Sequence, residues 1–136
     1  MTSHLRFQNP ATLSKPPGYS HVVEVIGPGR IIYIAGQLGI GLDGNVVGAP
    51  GDFRAQVTQA FENLKLALAA AGAGFEHVVK ITNYLTDMSH LAVFREVRDS
   101  YLNMASPPAS TTIEISKFAR EGALFEIEAV AVLPAA

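Results

Sequence analysis

The chain has 136 residues, enough for one domain and too few for two of ordinary size. It is 49% hydrophobic and 16% charged, which excludes intrinsic disorder; ten Lys and Arg against twelve Asp and Glu leave a net charge of -2, with no basic footprint for nucleic-acid phosphates or anionic membranes. The absence of cysteine excludes disulfides, thiolate nucleophiles, iron–sulfur clusters and thiolate zinc sites.

The opening residues Met1-Thr2-Ser3-His4-Leu5-Arg6 show no basic region followed by an apolar run, so no secretory signal is expected. No stretch approaches the ~18 apolar residues of a membrane span. The expectation is a single cytoplasmic domain over 1–136. The first twenty residues, with Pro10, Pro16 and Pro17, read as a polar surface lead-in ending at Gly18-Tyr19. Tyr19 to Ile26 and Arg30 to Gln37 read as two strands joined at Gly27-Pro28-Gly29, predicting a hairpin. Residues 38 to 51 are glycine-rich with an Asp43-Gly44 turn, and form a loop.

A helix follows. Asp52 is suited to cap it, Phe53, Val57, Phe61, Leu64 and Leu68 recur on one face, and Gly72 and Gly74 stop it. Val78 to Leu85 reads as a strand, with Val78 and Tyr84 opposing Val79, Ile81 and Leu85. A second helix runs from about Ser89 to Met104, its stripe marked by Leu91, Phe94, Val97 and Tyr101, and Pro107-Pro108 ends it. Two strands close the chain, Thr111 to Ser116 and Leu124 to Leu133, joined by the polar segment 117–122.

The order strand, strand, helix, strand, helix, strand, strand implies an α+β fold, one mixed sheet with both helices on one face. The last strand alternates Phe125, Ile127, Ala129 and Ala131 with Glu126, Glu128, Val130 and Val132, so its second face is not wholly polar. An apolar second face without helices calls for another copy of the chain, and a homo-oligomer is expected.

Few motifs carry chemistry. Gly39-Ile40-Gly41-Leu42-Asp43-Gly44 is a literal G-x-G-x-x-G after a strand, but Asn45 to Pro50 intervene before any helix that could receive a pyrophosphate. It reads as a loop of turn glycines, and no cofactor is expected. His4, His21, His77 and His90 show no metal-ligand spacing, so no metal is expected. Glu126 and Glu128 project from one face of a strand that otherwise favours burial. Two readings stay open: a solvated or ion-paired edge, or a glutamate held in a partly dry site as a general base or water-positioner.

Taken together, Gly18-Tyr19, Ala35-Gly36-Gln37, Gln59-Ala60-Phe61-Glu62-Asn63-Leu64, Ala71-Gly72, Val79-Lys80, Leu85-Thr86-Asp87, Pro107-Pro108-Ala109 and Phe125 to Ala131 occur in an order that resembles the RidA/YjgF family, also called the L-PSP endoribonuclease family. The resemblance spans about Asn9 to Val132. It implies a chorismate-mutase-like fold and a homotrimer with small-molecule clefts between subunits. Active members hydrolyse reactive imines and enamines to a 2-oxo acid and ammonia. Carried over residue by residue, Glu126 would position water and Tyr19 would border the cleft; Gly36 and Gln37 would form its wall, with Ala35 where a serine is usual.

One residue departs from the pattern. Ser110 stands where the family's carboxylate-clamping arginine belongs, in Pro108-Ala109-Ser110-Thr111-Thr112. Exchanging a charge-assisted clamp for a hydroxyl costs about 1.5–3 kcal/mol of binding, so weak or absent activity on 2-iminopropanoate is expected. Ser110, Thr111 and Thr112 would then offer hydrogen bonds, and Arg95 on the second helix could restore the charge; if it is solvated, as Arg98 is taken to be, a neutral or cationic ligand is implied. The expected function is hydrolysis of an imine, enamine or related neutral metabolite. The alternatives are a non-catalytic metabolite-binding protein and, disfavoured by the net charge, a ribonuclease.

Overall fold

The computed structural model describes residues 4–136. Its organising element is the helix α1, Phe53–Ala70. The Asp52 carboxylate accepts a hydrogen bond from the Ala55 amide and so caps the helix start as the sequence suggests. From α1, Val57, Ala60, Phe61, Leu64 and Leu68 are buried completely. They pack on a four-stranded sheet in the order β3-β6-β4-β5, where β3 is Gly29–Leu38, β4 Val78–Leu85, β5 Ala109–Glu114 and β6 Phe125–Pro134. β6 runs antiparallel to both neighbours, while β4 and β5 are parallel, so the sheet is mixed. The second helix, α2 (Leu91–Tyr101), is entered through a short turn, Met88–His90, in which the Asp87 side chain accepts from the Ser89 amide.

Both helices cover the same face. The core joins Phe61 to Phe94 and Phe125 from α2 and β6, with Phe61 stacked on Phe125 at 6.2 Å and on Tyr101 at 5.1 Å between ring centroids. Alternation in β6 is as the sequence implies: Phe125, Ile127, Ala129 and Ala131 are buried, while Glu126, Glu128 and Val130 face the other way. That second face carries apolar groups in the open, with Tyr33 79% and Ile31 60% exposed. Among the described residues, no helix is long and apolar enough to cross a membrane.

Three expectations need correction. The two strands flanking Gly27-Pro28-Gly29 do not pair as a hairpin. β2 (Val22–Val25) instead pairs antiparallel with β1 (Leu5–Gln8), inside the stretch read as lead-in, and β3 pairs with β6. The ribbon is fixed by burial of Leu5, an Arg6–Glu24 ion pair of 3.0 Å and the Ile26 amide donating to the His4 carbonyl. Four residues of alternation are too few to stand out in a proline-rich segment. In β4, a register shift between Val78 and Lys80 places Val78 and Ile81 on the core side together, so Val78 does not share a face with Tyr84. Helix α2 also ends at Tyr101, short of Met104, with Leu102 extended.

Candidate functional site

The predicted site residues divide between the two faces of the sheet. On the helix face, at the β5 edge, a cavity of about 210 Å³ lies between β5, α2 and the segment around Tyr19. Tyr19, Arg95, Ser110 and Thr112 all line it. Ser110 and Thr112 point toward α2 because they lie opposite Ile81 and Asn83, the core-facing positions of β4. Asn83 is fully buried, and its Nδ2 donates to Ser110 Oγ at 3.0 Å and Thr112 Oγ1 at 3.1 Å. Nδ2 also reaches the Thr111 carbonyl at 3.3 Å, so its two hydrogens are shared among three acceptors, and a hydroxyl that accepts from it has its own proton left to donate into the cavity. Thr111 faces the other way, its Oγ1 receiving Lys80 Nζ at 2.7 Å, so the three consecutive hydroxyls do not act on one ligand within a protomer.

On the open face, Glu126 lies against β3. The space that a Cβ on Gly36 would occupy is filled by the Glu126 carboxyl, whose Cδ would stand 2.5 Å away. A bulge between Ile34 and Gln37 opens the ladder at this point. Gln37 turns its side-chain amide back to the Ala35 carbonyl at 3.1 Å. Partial burial, with a smaller contribution from the Glu128 charge, raises the pKa of Glu126 above the ordinary carboxylate value. Glu128 accepts the Tyr84 hydroxyl at 2.7 Å, which pushes the Tyr84 phenol upward as well. Glu126 is thus a partly buried carboxylate with a raised pKa, between Gly36 and Tyr84, and among the described residues no guanidinium pairs with it.

Glu126 with Gly36 and Gln37, and Tyr19 with Ser110 and Thr112, are separated by the sheet itself. One chain carries both sets but does not bring them together. The cavity of about 210 Å³ also falls below the ~300–1,000 Å³ usual for ligand pockets.

Sequence reasoning missed Arg98, taken as solvated. Its side chain is only 8% exposed and it lines the cavity beside Tyr19. Its guanidinium lies 5.7 Å from the Phe94 ring centroid and against Gly18, and hydrogen-bonds the Asp99 carboxylate through Nε at 3.0 Å. The signal was present, since Leu91, Phe94, Arg98 and Tyr101 fall at i, i+3, i+7 and i+10, which sets a cation in an apolar stripe. Arg95 lines the same cavity with its side chain exposed. The four histidines are dispersed, and the described residues contain no group of three metal-ligating side chains.

Comparison with known proteins agrees with this architecture. The family profile described as Endoribonuclease L-PSP matches residues 12–133. The chain is 41% identical over 115 residues to Protein DfrA of Myxococcus xanthus, covering 84% of each chain. It is 38% identical over 115 residues to the 2-iminobutanoate/2-iminopropanoate deaminase of Mus musculus, covering 84% of this chain and 80% of that one. Among solved structures it resembles YyfB from Yersinia pestis, described as a protein of unknown function of the conserved Rid family. That match has 34% identity and a TM-score of 0.84, and covers 96% of this chain and 99% of that one.

Proposed function

The chain belongs to the Endoribonuclease L-PSP family, the RidA/YjgF proteins, and on that premise we propose that it hydrolyses an imine or enamine metabolite in clefts completed between copies of itself. The observation that carries this reading is Glu126: a half-buried carboxylate with a raised pKa, pressed against glycine backbone on an apolar face. Water attacks the C=N carbon while Glu126 takes its proton. Glu126 returns that proton to the nitrogen of the carbinolamine, the C–N bond breaks to release ammonia, and loss of the hydroxyl proton leaves the carbonyl. Tyr19, Ser110 and Thr112 come from the adjoining copy, Tyr19 bordering the substrate and the two hydroxyls donating hydrogen bonds, and Gly36 and Gln37 form the wall beside Glu126. Joining the two faces in this way requires an oligomer, and a closed trimer with three equivalent interfaces satisfies it.

Ser110 lacks the charge that the family places there, so turnover of 2-iminopropanoate is slower than it would be with an arginine at that position. The decisive variant is Glu126→Gln, which keeps shape and polarity but cannot accept a proton. Turnover should fall by roughly 10²–10⁴-fold while ligand binding changes only a few-fold. A non-catalytic metabolite-binding protein is the second reading, favoured by that same serine. It requires that the wild-type chain never exceed the spontaneous rate of imine hydrolysis, and that Glu126→Gln leave every functional readout unchanged.

A further inference from the structure

The buried guanidinium beside α2 has no structural partner that accounts for all of it. Asp99 Oδ1 accepts a hydrogen bond from Nε at 3.0 Å and forms an ion pair with Nη2 at 2.9 Å, and Asp99 itself stands half in solvent. Among the described residues Nη1 makes no hydrogen bond, and it is not sealed from the cavity or solvent. The guanidinium places a cation at this edge of the cavity. It is held in place. The Phe94 ring and the Gly18 backbone both lie against it; a Cβ on Gly18 would come within 2.5 Å of Nη2. Gly18 has φ +108°, a backbone conformation that side-chain-bearing residues rarely adopt, so the loop before Tyr19 is shaped to pass over this guanidinium.

The cavity's lining has one sign. Arg95 and Arg98 contribute cations, Ser110 and Thr112 contribute free hydroxyl donors, and no Asp or Glu lines it. Such a set of donors favours an anion with planar oxygens. We propose that Arg98, helped by the exposed Arg95, anchors the carboxylate of a small carboxylate metabolite, gripping it from α2 where relatives with an arginine at the Ser110 position grip it from the strand. This inference rests on the cleft serving as the substrate site. It replaces the neutral or cationic ligand that Ser110 alone implies.

The test compares 2-oxobutanoate with its neutral amide, 2-oxobutanamide, by NMR titration of the full-length chain. The wild type should bind the acid about 10- to 100-fold tighter than the amide, as expected for charge-assisted hydrogen bonds. Arg98→Met should erase that preference, and Arg95→Ala should reduce it by less. Equal affinity for acid and amide in the wild type would overturn the proposal, as would an undiminished preference in folded Arg98→Met. If Arg98→Met does not fold, Arg98→Lys decides: its single ammonium cannot present the fork, so the acid should bind at least about 5-fold more weakly, and unchanged affinity overturns the proposal. Acid binding through Arg98 without any turnover would sink the hydrolase reading alone. Turnover with no acid preference would sink this inference alone.

Discussion

At the scale of single residues the proposed chemistry rests on Glu126, and its titration gives a signed prediction. Burial first, and the Glu128 charge second, raise its pKa above the usual 4.5. A proton acceptor must be ionised, so activity should fall with decreasing pH along a limb centred above 4.5. Glu128→Gln removes the neighbouring charge and should move that limb to lower pH; a limb that stays put contradicts the assignment. The same shift acts on stability with a definite sign. A raised folded-state pKa means that Glu126 stabilises the fold while protonated, and that this contribution is lost as pH rises through the raised value. Gly36 offers a second probe. A Cβ there meets the end of the Glu126 side chain, which can swing aside, so Gly36→Ala should leave Tm nearly unchanged. Displacing a catalytic carboxylate by about 1 Å costs roughly 10²-fold in rate, which a kcat comparison reads directly. At this scale the sequence named Glu126, Tyr19 and Ser110 through the family pattern. It concealed Arg98, because a charged residue in a helix is usually solvated, and Asn83, because nothing in VVKITNYL marks its amide as the buried donor to both hydroxyls.

Among the elements, α1 was legible because every local cue agrees: the capping Asp52, the stripe of Phe53, Val57, Phe61, Leu64 and Leu68, and the glycines that follow. β4 and β6 were legible for the same reason, being long runs of β-branched and aromatic residues. β1 was not, since Leu5–Gln8 is too short to carry a pattern, and the β1–β2 pairing is decided by contacts distant in sequence. Gln56 interrupts the α1 core without disturbing it. It is 1% exposed, its Oε1 accepts the Leu124 amide at 2.8 Å, and its Nε2 donates to the Gly122 carbonyl at 3.0 Å. The side chain thereby ties the approach to β6 onto α1, immediately before Glu126. Gln56→Leu leaves a backbone donor and acceptor unsatisfied, and should cost about 1–3 kcal/mol in denaturant unfolding. An unchanged midpoint would show that water satisfies these groups instead.

The whole molecule is organised by its uncovered face. Two helices shield one side of the sheet, and the other presents Ile31, Tyr33, Val130 and Ile113 on the same face as the two glutamates. Exposed apolar groups of this extent in a small domain call for a partner surface. The division of the candidate site between the two faces calls for the same one. Tyr33→Lys places a charge on the most exposed apolar residue of that surface's edge strand and should shift the sedimenting species toward a monomer, with turnover lost in parallel. A wild-type monomer that is fully active would contradict it. The most direct test is complementation between two inactive chains. Glu126→Gln disables the open-face half, and Ser110→Trp fills the cavity beside α2. Each variant alone should lack imine hydrolase activity, measured as 2-oxobutanoate release from freshly generated 2-iminobutanoate. Co-expressed, they should form mixed trimers in which one cleft joins an intact Glu126 from one chain to an intact Ser110 from another, and activity should return. Mixed trimers that form and stay inactive would contradict a site built between copies of the chain.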